Sequence, residues 1–477
     1  MDKRYTKFAK NTGIMLAGNL SSKLISFILL PVYTHYLSTA AYGESDMINV
    51  YASILLSLIT CCVADGMFVF PKKEDENGKK SYFTSGLVFV VGSFIVVAFF
   101  LFFLDVVFEY QQGVFLLDKW WIYLMSFSMF IHLYFQQFAL SLEKTVLYSL
   151  SGVVLTILMA ALAIVLLPIY GLPGYLLSII IANFGSALFL LISCRQYKYI
   201  SIPYLNKVYL KRLLNYGIPL IPNSAMWWFM NGLNRPMMEV QLGLSAIGIY
   251  SVAYKFPTVL SMVFQVISHS MSITVVDEFG KPDFNVFYNR VLRVLTMAVL
   301  FVGVFLCVCS KWLIDVFADT EFYPAWQYMP VLTLAVIFQC MGAFIGNIFM
   351  AEKQSKYFFY SSLWGAGASI LFTLFFIRLW GLLGVCIAIA GSFLVMLVLR
   401  IFYAWKNINI FSINYYLLSF ASYILIVVLI TLDVSLVVIV LGLILYLFIT
   451  FLINKQEIGV ILNNSLNLIK YNYNKRK

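Results

Sequence analysis

Three basic side chains stand where an apolar chain has little reason to keep a charge. Lys23 lies in GNLSSKLIS, Arg235 in GLNRPMMEV and Lys255 in SVAYKFPTV. A cation at bilayer depth costs roughly 3 kcal/mol on insertion scales, so such residues usually face an interior cavity. Guanidinium and ammonium groups suit phosphate oxygens, and three of them together would focus an anion. Around Arg235 the chain adds Asn223, Trp227, Trp228, Asn231 and Asn234 at helical spacing. Their amides and indoles can meet sugar hydroxyls and pyranose faces, and can equally bond or pack against neighbouring helices. Arg235 also has a plain local partner in Glu239, four residues on. Lys23 has a plain alternative in snorkelling to the interface.

Acids at comparable depth are few. Asp46 and Asp65, with His132 and His269, are the candidates for ion coupling. Asp65 has Lys72 and Lys73 as alternative partners, and a lone intramembrane histidine is more often a hydrogen-bonded structural residue than a relay. Pro31, Pro219, Pro222, Pro236 and Pro257 each remove a backbone donor within an apolar run and are expected to interrupt helices as hinges. The seven cysteines (Cys61, Cys62, Cys194, Cys307, Cys309, Cys340 and Cys386) show neither metal spacing nor a disulfide framework. Neither Gly78-Lys79 nor Gly280-Lys281 belongs to a GxxxxGK[ST] phosphate loop, and no HExxH or GxSxG occurs. No catalytic residue, metal or cofactor is expected, and the chain is not expected to be an enzyme. Energy would come from an ion gradient, the membrane potential or the gradient of the substrate.

The elements that must hold these groups follow from composition. Hydrophobic residues make up 62% of the 477 and charged residues 11%, more apolar surface than a soluble interior can hide. About twenty apolar residues cross a bilayer as a helix. That rule places spans near 11–34, 44–70, 82–104, 119–142, 145–168, 174–194, 213–238 and 245–275. Six more lie near 291–314, 325–350, 356–377, 380–404, 414–432 and 434–453. The expected fold is an all-α polytopic membrane protein of about 14 transmembrane helices. Its divisions are an N-terminal lobe (1–194), a basic linker (195–212), a C-terminal lobe (213–406), a helix pair (407–454) and a basic tail (455–477). Counted on this map, 26 of the 32 Lys and Arg fall on one side and only Lys119, Lys311 and Arg378 on the other. The positive-inside rule then puts both termini and the linker in the cytoplasm. The net charge of +11 reflects topology, and no nucleic-acid partner is expected.

Faint internal repeats support two related lobes. Leu37, Ala41 and Gly43 match Leu242, Ala246 and Gly248 at one constant offset, which also relates Pro31 to Pro236. Farther on, Gly171–Gly174 (GLPG) matches Gly381–Gly384 (GLLG), and Glu143-Lys144 matches Glu352-Lys353. Duplication of this kind is the common ground plan of membrane transporters.

The stretch YGIPLIPNS…LNRPMMEVQLGLSAIGIYSVAYKF resembles the seventh–eighth helix signature of bacterial polysaccharide and O-antigen flippases of the Wzx type. GNLSSKLISFILLPVYTHYLSTAAYGE resembles the opening segment of that family, and PIYGLPG its fifth–sixth turn. The superfamily also holds multidrug (MATE) exporters and lipid II flippases, so the resemblance implies a MATE-like fold. Arg235 takes the basic position after the seventh-helix asparagine, and Lys255 the cation of the eighth-helix run. Many relatives carry an arginine near the end of the second helix, where this chain has Asp65. The resemblance implies translocation of undecaprenyl-diphosphate-linked oligosaccharide repeat units, for O-antigen or capsule, from the cytoplasmic to the outer leaflet. Alternating access through a cationic central cavity would carry them. It also implies a bacterial inner-membrane location and the pathway's polymerase and chain-length regulator as partners; the chain is expected to act as a monomer. A MATE-type drug exporter is the competing reading, and would be expected to place acids rather than cations in its cavity. A membrane polysaccharide polymerase is a weaker one, because no exterior loop is long enough for a reaction centre.

Overall fold

The computed structural model describes residues 27–107, 113–352, 354–405 and 413–434, with Gly442 and Tyr446. Every regular element among them is helical. Hydrocarbon offers a backbone no hydrogen bonds, so a spanning segment must satisfy its own. The first half comprises Leu30–Tyr36 (α1), Thr39–Thr60 (α2), Val63–Val69 (α3), Glu76–Val107 (α4), Val114–Leu117 (α5), Lys119–Ser141 (α6), Thr145–Tyr170 (α7) and Leu172–Ser193 (α8). Two 3-10 turns, Gln196–Tyr199 and Ile202–Tyr204, lead to Lys207–Gly217 (α9). After a further turn at Ile218–Leu220 come Ile221–Asn231 (α10), Asn234–Leu242 (α11), Leu244–Glu278 (α12), Phe284–Val308 (α13), Ser310–Phe317 (α14), Met329–Ala351 (α15), Ser355–Ala404 (α16) and Ile413–Thr431 (α17).

Among the described residues, seven helices are long and apolar enough to cross a bilayer, and the pair α2–α3, bent by 65°, makes an eighth. The predicted spans from the second to the thirteenth all coincide with helix. Most of the first span, nearly all of the fourteenth and the basic tail lie outside the described residues. The second span breaks at Cys61 and Cys62, both with positive φ (48° and 52°). The seventh is in pieces, with a 3-10 turn around Pro219 and a break at Gly232–Leu233. Pro31, Pro222 and Pro236 sit in the first turns of α1, α10 and α11, where a missing N–H leaves no bond unmade. Pro257 lies inside α12, which continues through it.

The repeats are visible as geometry. Gly171 and Gly381 adopt the same left-handed conformation, φ 57° and 55° with ψ −132° and −129°, turning α7 into α8 and kinking α16. Gly43 and Gly248 meet each other. A Cβ on Gly43 would lie 2.0 Å from the Leu244 carbonyl oxygen, and one on Gly248 1.9 Å from that of Thr39. The contact is reciprocal, as for two copies related by a local two-fold, and only glycine lets the backbones approach so closely.

The chain forms two compact units. One takes in the described residues up to Val252 with Ile314–Tyr323 and Ser369–Val385. Its core is aromatic: Phe83 packs on Tyr134 and Phe138, the Tyr134 hydroxyl donates to the Phe83 carbonyl at 2.7 Å, and Val63, Phe94 and Leu213 close the cluster. The segment 195–212 is built into this unit. Thr84 bonds the backbone of Tyr199 and Ser201, Ser85 bonds that of Asn206, and the buried Gln196 amide donates to the Phe135 carbonyl. The other unit comprises Ala253–Leu313, Pro324–Ala368 and the described residues from Cys386 on. It is centred on α15, flanked by Tyr288 and Thr296 of α13 and Tyr423 of α17, all buried. Arg400, which the span map groups with the cytoplasmic cations, lies in this interior at 2% exposure. It donates to Ser361, Ser362 and the Gly342 carbonyl, and stacks on Phe358. Its apolar neighbours in sequence hide which face of α16 carries it.

Candidate functional site

The break at Gly232–Leu233 ends α10 and starts α11 so that Arg235 leaves the first turn of α11 beside α2. There its guanidinium Nε donates to Asp46 Oδ2, and another of its nitrogens donates to the Asn231 carbonyl. The guanidinium plane lies over the Tyr250 ring, 5.2 Å from its centre. Ser251 Oγ donates to the same Asp46 oxygen at 2.7 Å. The Arg235 side chain is 9% exposed and that of Asp46 24%, so the acid is the more accessible partner. The pair therefore joins a cation and a carboxylate to which the sequence assigns separate roles. Glu239 is engaged elsewhere and accepts from the Val114 N–H at 2.7 Å. Sequence reasoning misses Ser251, Tyr250 and the pairing itself. The offset that relates Gly43 to Gly248 also relates Asp46 to Ser251, and this is the available signal.

Next along α11, the buried Asn234 accepts hydrogen bonds from Thr373 Oγ1 (2.8 Å) and Ser369 Oγ (3.3 Å), while its Nδ2 has no partner among the described residues. Trp228 turns its indole N–H to the Val50 carbonyl at 3.1 Å, which ties α10 to α2. Asn231 is half-buried. The side chains of Asn223, Trp227 and His269, and all of Lys23, lie outside the described residues.

Lys255 is half-buried on α12 and has no carboxylate within ion-pair reach among the described residues. Asp65 is exposed on α3 and likewise unpaired, while Lys72 approaches Glu143 at 4.0 Å. His132 is buried on α6, and its Nε2 has no partner among the described residues. No group of His, Cys, Asp and Glu among the described residues could hold a metal ion.

What the arrangement can do is exchange partners. A guanidinium held by a carboxylate in the interior of a spanning bundle is paired only while that carboxylate stays charged and in place. A phosphate group could meet the same guanidinium with more charge, and with two oxygens where Asp46 presents Oδ2.

The family model described as "Polysaccharide biosynthesis protein" matches residues 8–273, and the model described as MatE matches residues 220–375. Among solved structures, the chain is similar to lipid II flippase MurJ in an inward closed conformation, with a TM-score of 0.69 at 14% identity over 94% of this chain and 100% of that one. It is also similar to a multidrug resistance MATE family transporter of the MOP superfamily in an inward-facing conformation (TM-score 0.64, 13% identity, 82% of this chain and 94% of that one). A MOP superfamily transporter from Pyrococcus furiosus gives a TM-score of 0.56 at 13% identity, over 83% of this chain and 94% of that one. No curated protein sequence matches the chain. At these identities the likeness is one of fold: all-α, polytopic, and of the MurJ and MATE kind.

Proposed function

The chain belongs to the polysaccharide biosynthesis protein family, and from that premise we propose that it is a flippase for an undecaprenyl-diphosphate-linked oligosaccharide repeat unit. The cargo moves from the cytoplasmic to the outer leaflet by alternating access, with both termini in the cytoplasm and the chain in a bacterial inner membrane. The fold is that of transporters, and no reaction is assigned to it.

The observation that supports this reading best is the buried Arg235 held by the more accessible Asp46. A diphosphate carries enough charge to compete for the guanidinium, and the Asp46 carboxylate is its stand-in when no cargo is bound. Lys255, with no carboxylate in reach among the described residues, is a second cation open to phosphate, and Lys23 is assigned to the same path. Asn231 and Trp228, both half-buried beside Arg235 in the chain, are the polar and aromatic groups assigned to the sugars. Pro31, Pro219, Pro222 and Pro236 begin short helical pieces and Pro257 lies inside α12, and these are the places where the helices would bend. The lobes 1–194 and 213–406 would be the moving bodies, with 407–454 lining a groove for the lipid tail.

A cell lacking the chain tests this directly. Complete repeat units accumulating on the cytoplasmic face support flipping, whereas unpolymerised units outside would assign the chain to polymerisation. The MatE match over residues 220–375 favours one competing reading, ion-coupled export of a small drug. That reading requires an acid free to bind a cation: Asp46 is taken up by Arg235, which leaves Asp65 as its candidate. Dye efflux from energised vesicles would support it.

A further inference from the structure

The segment 195–217 carries five cations (Arg195, Lys198, Lys207, Lys211 and Arg212) and no acid. It is not a slack connection: Thr84, Ser85 and Gln196 fix its backbone, and Leu213 of α9 is fully buried against the core. With that face of α9 turned inward, its other face and the turn before it are left outward. They present Ile202 (80% exposed), Leu205 and Val208 (58% exposed) among Lys207 and Lys211. The segment follows directly from α8, a candidate span, so it begins where that span ends. Apolar side chains interleaved with lysines on one face of a surface helix are what a headgroup layer accepts: the apolar groups enter the acyl boundary and the ammonium groups meet anionic phosphates.

We propose that residues 197–211 form a membrane-surface anchor that engages anionic phospholipid headgroups of the inner leaflet. The anchor rests on the reading that places 195–212 in the cytoplasm. It has a mechanical consequence, because α9 ends against the break between α2 and α3: a Cβ on Gly217 would lie 2.1 Å from the Cys61 carbonyl oxygen. A headgroup-bound α9 therefore holds the inner end of the bent pair that carries Asp46.

The test uses the full chain in vesicles, with a nitroxide attached through Val208→Cys in a Cys61→Ser, Cys309→Ser background, the other described thiols being buried. Collision with oxygen should exceed collision with a water-soluble nickel chelate, and adding phosphatidylglycerol to phosphatidylcholine should widen that difference. Lys207→Gln with Lys211→Gln should weaken the phosphatidylglycerol-dependent docking by about fivefold per lysine, near 1 kcal/mol each. A label at Ile202→Cys provides an independent site should the first variant fold poorly. A label open to the chelate in both lipids overturns the anchor, and insertion that ignores phosphatidylglycerol overturns its anionic specificity. Trapping the chelate inside or adding it outside oriented vesicles reports the side. Docking on the outer face would refute the topology, and with it the inner-leaflet partner, without touching the flippase assignment through Arg235.

Discussion

Replacing Asp46 by asparagine separates what the carboxylate does for the fold from what it does for transport. In the native chain one Asp46 oxygen accepts from both Arg235 and Ser251. Asparagine keeps the shape and one carbonyl acceptor but removes the charge, leaving Arg235 with the Asn231 carbonyl and the Tyr250 ring. Truncating one partner of a fully buried ion pair costs about 3–5 kcal/mol. Asp46 is about a quarter exposed and the amide still accepts one bond, so the expected loss is about 2 kcal/mol. Reversible unfolding in mixed micelles measures it. A double-mutant cycle with Arg235→Met should return a coupling of about 2 kcal/mol, because each substitution alone already removes the pair. The same substitution frees the guanidinium for cargo. Affinity for the lipid diphosphate should rise by up to about thirtyfold, the equivalent of that coupling, while turnover falls because release is slower. Strictly additive losses in the cycle, or an affinity that weakens in Asp46→Asn, would refute the reasoning.

Other outcomes follow from the same geometry. Gly248→Ala should destabilise by about 1–3 kcal/mol, since its methyl meets a backbone oxygen that cannot rotate away, and Gly43→Ala should behave alike; thermal unfolding in detergent compares them. Asn234→Ala leaves the Ser369 and Thr373 hydroxyls without their shared acceptor and should lose about 2 kcal/mol in the same assay. Arg400→Lys should not rescue Arg400→Ala, because an ammonium cannot span Ser361, Ser362 and the Gly342 carbonyl while stacking on Phe358. At Asp319, the Thr320 hydroxyl first, and then His35, hold the carboxyl below its ordinary value. Its stabilisation is thus full above the ordinary carboxylate range and is lost as pH falls through the lowered folded value. Asp319→Asn should flatten the acid limb of stability against pH.

The sequence is most legible where backbone geometry admits one residue type. Gly43 pairs with Gly248, and Gly171 with Gly381, on sequence offset alone, because close crossing and left-handed turns both demand glycine. The spans are legible because hydrocarbon demands length and apolarity. The Asp46–Arg235 pair is not, since the partners lie on different helices far apart in the chain and Arg235 has a local alternative in Glu239. The burial of Arg400 is not legible for a related reason: hydropathy reports how apolar a run is, not which side chain turns inward. The break at Cys61–Cys62 carries neither glycine nor proline, so no turn signal marks it. Residues 195–212 read as a basic connector, yet their fixing bonds come from Thr84 and Ser85, ordinary hydroxyls on a span.

The central claim is that Arg235 receives the diphosphate of a lipid-linked cargo. The most direct measurement reconstitutes the chain in vesicles with a fluorescent undecaprenyl-diphosphate oligosaccharide and follows its transfer between leaflets, comparing native protein with Arg235→Gln and with Arg235→Gln, Lys255→Gln, each checked for an intact fold. The account predicts transfer by the native chain, a loss of at least about tenfold in the single variant, in line with a charge-assisted bond of about 1.5–3 kcal/mol, and a further loss in the double. Undiminished transfer by the double variant would contradict it.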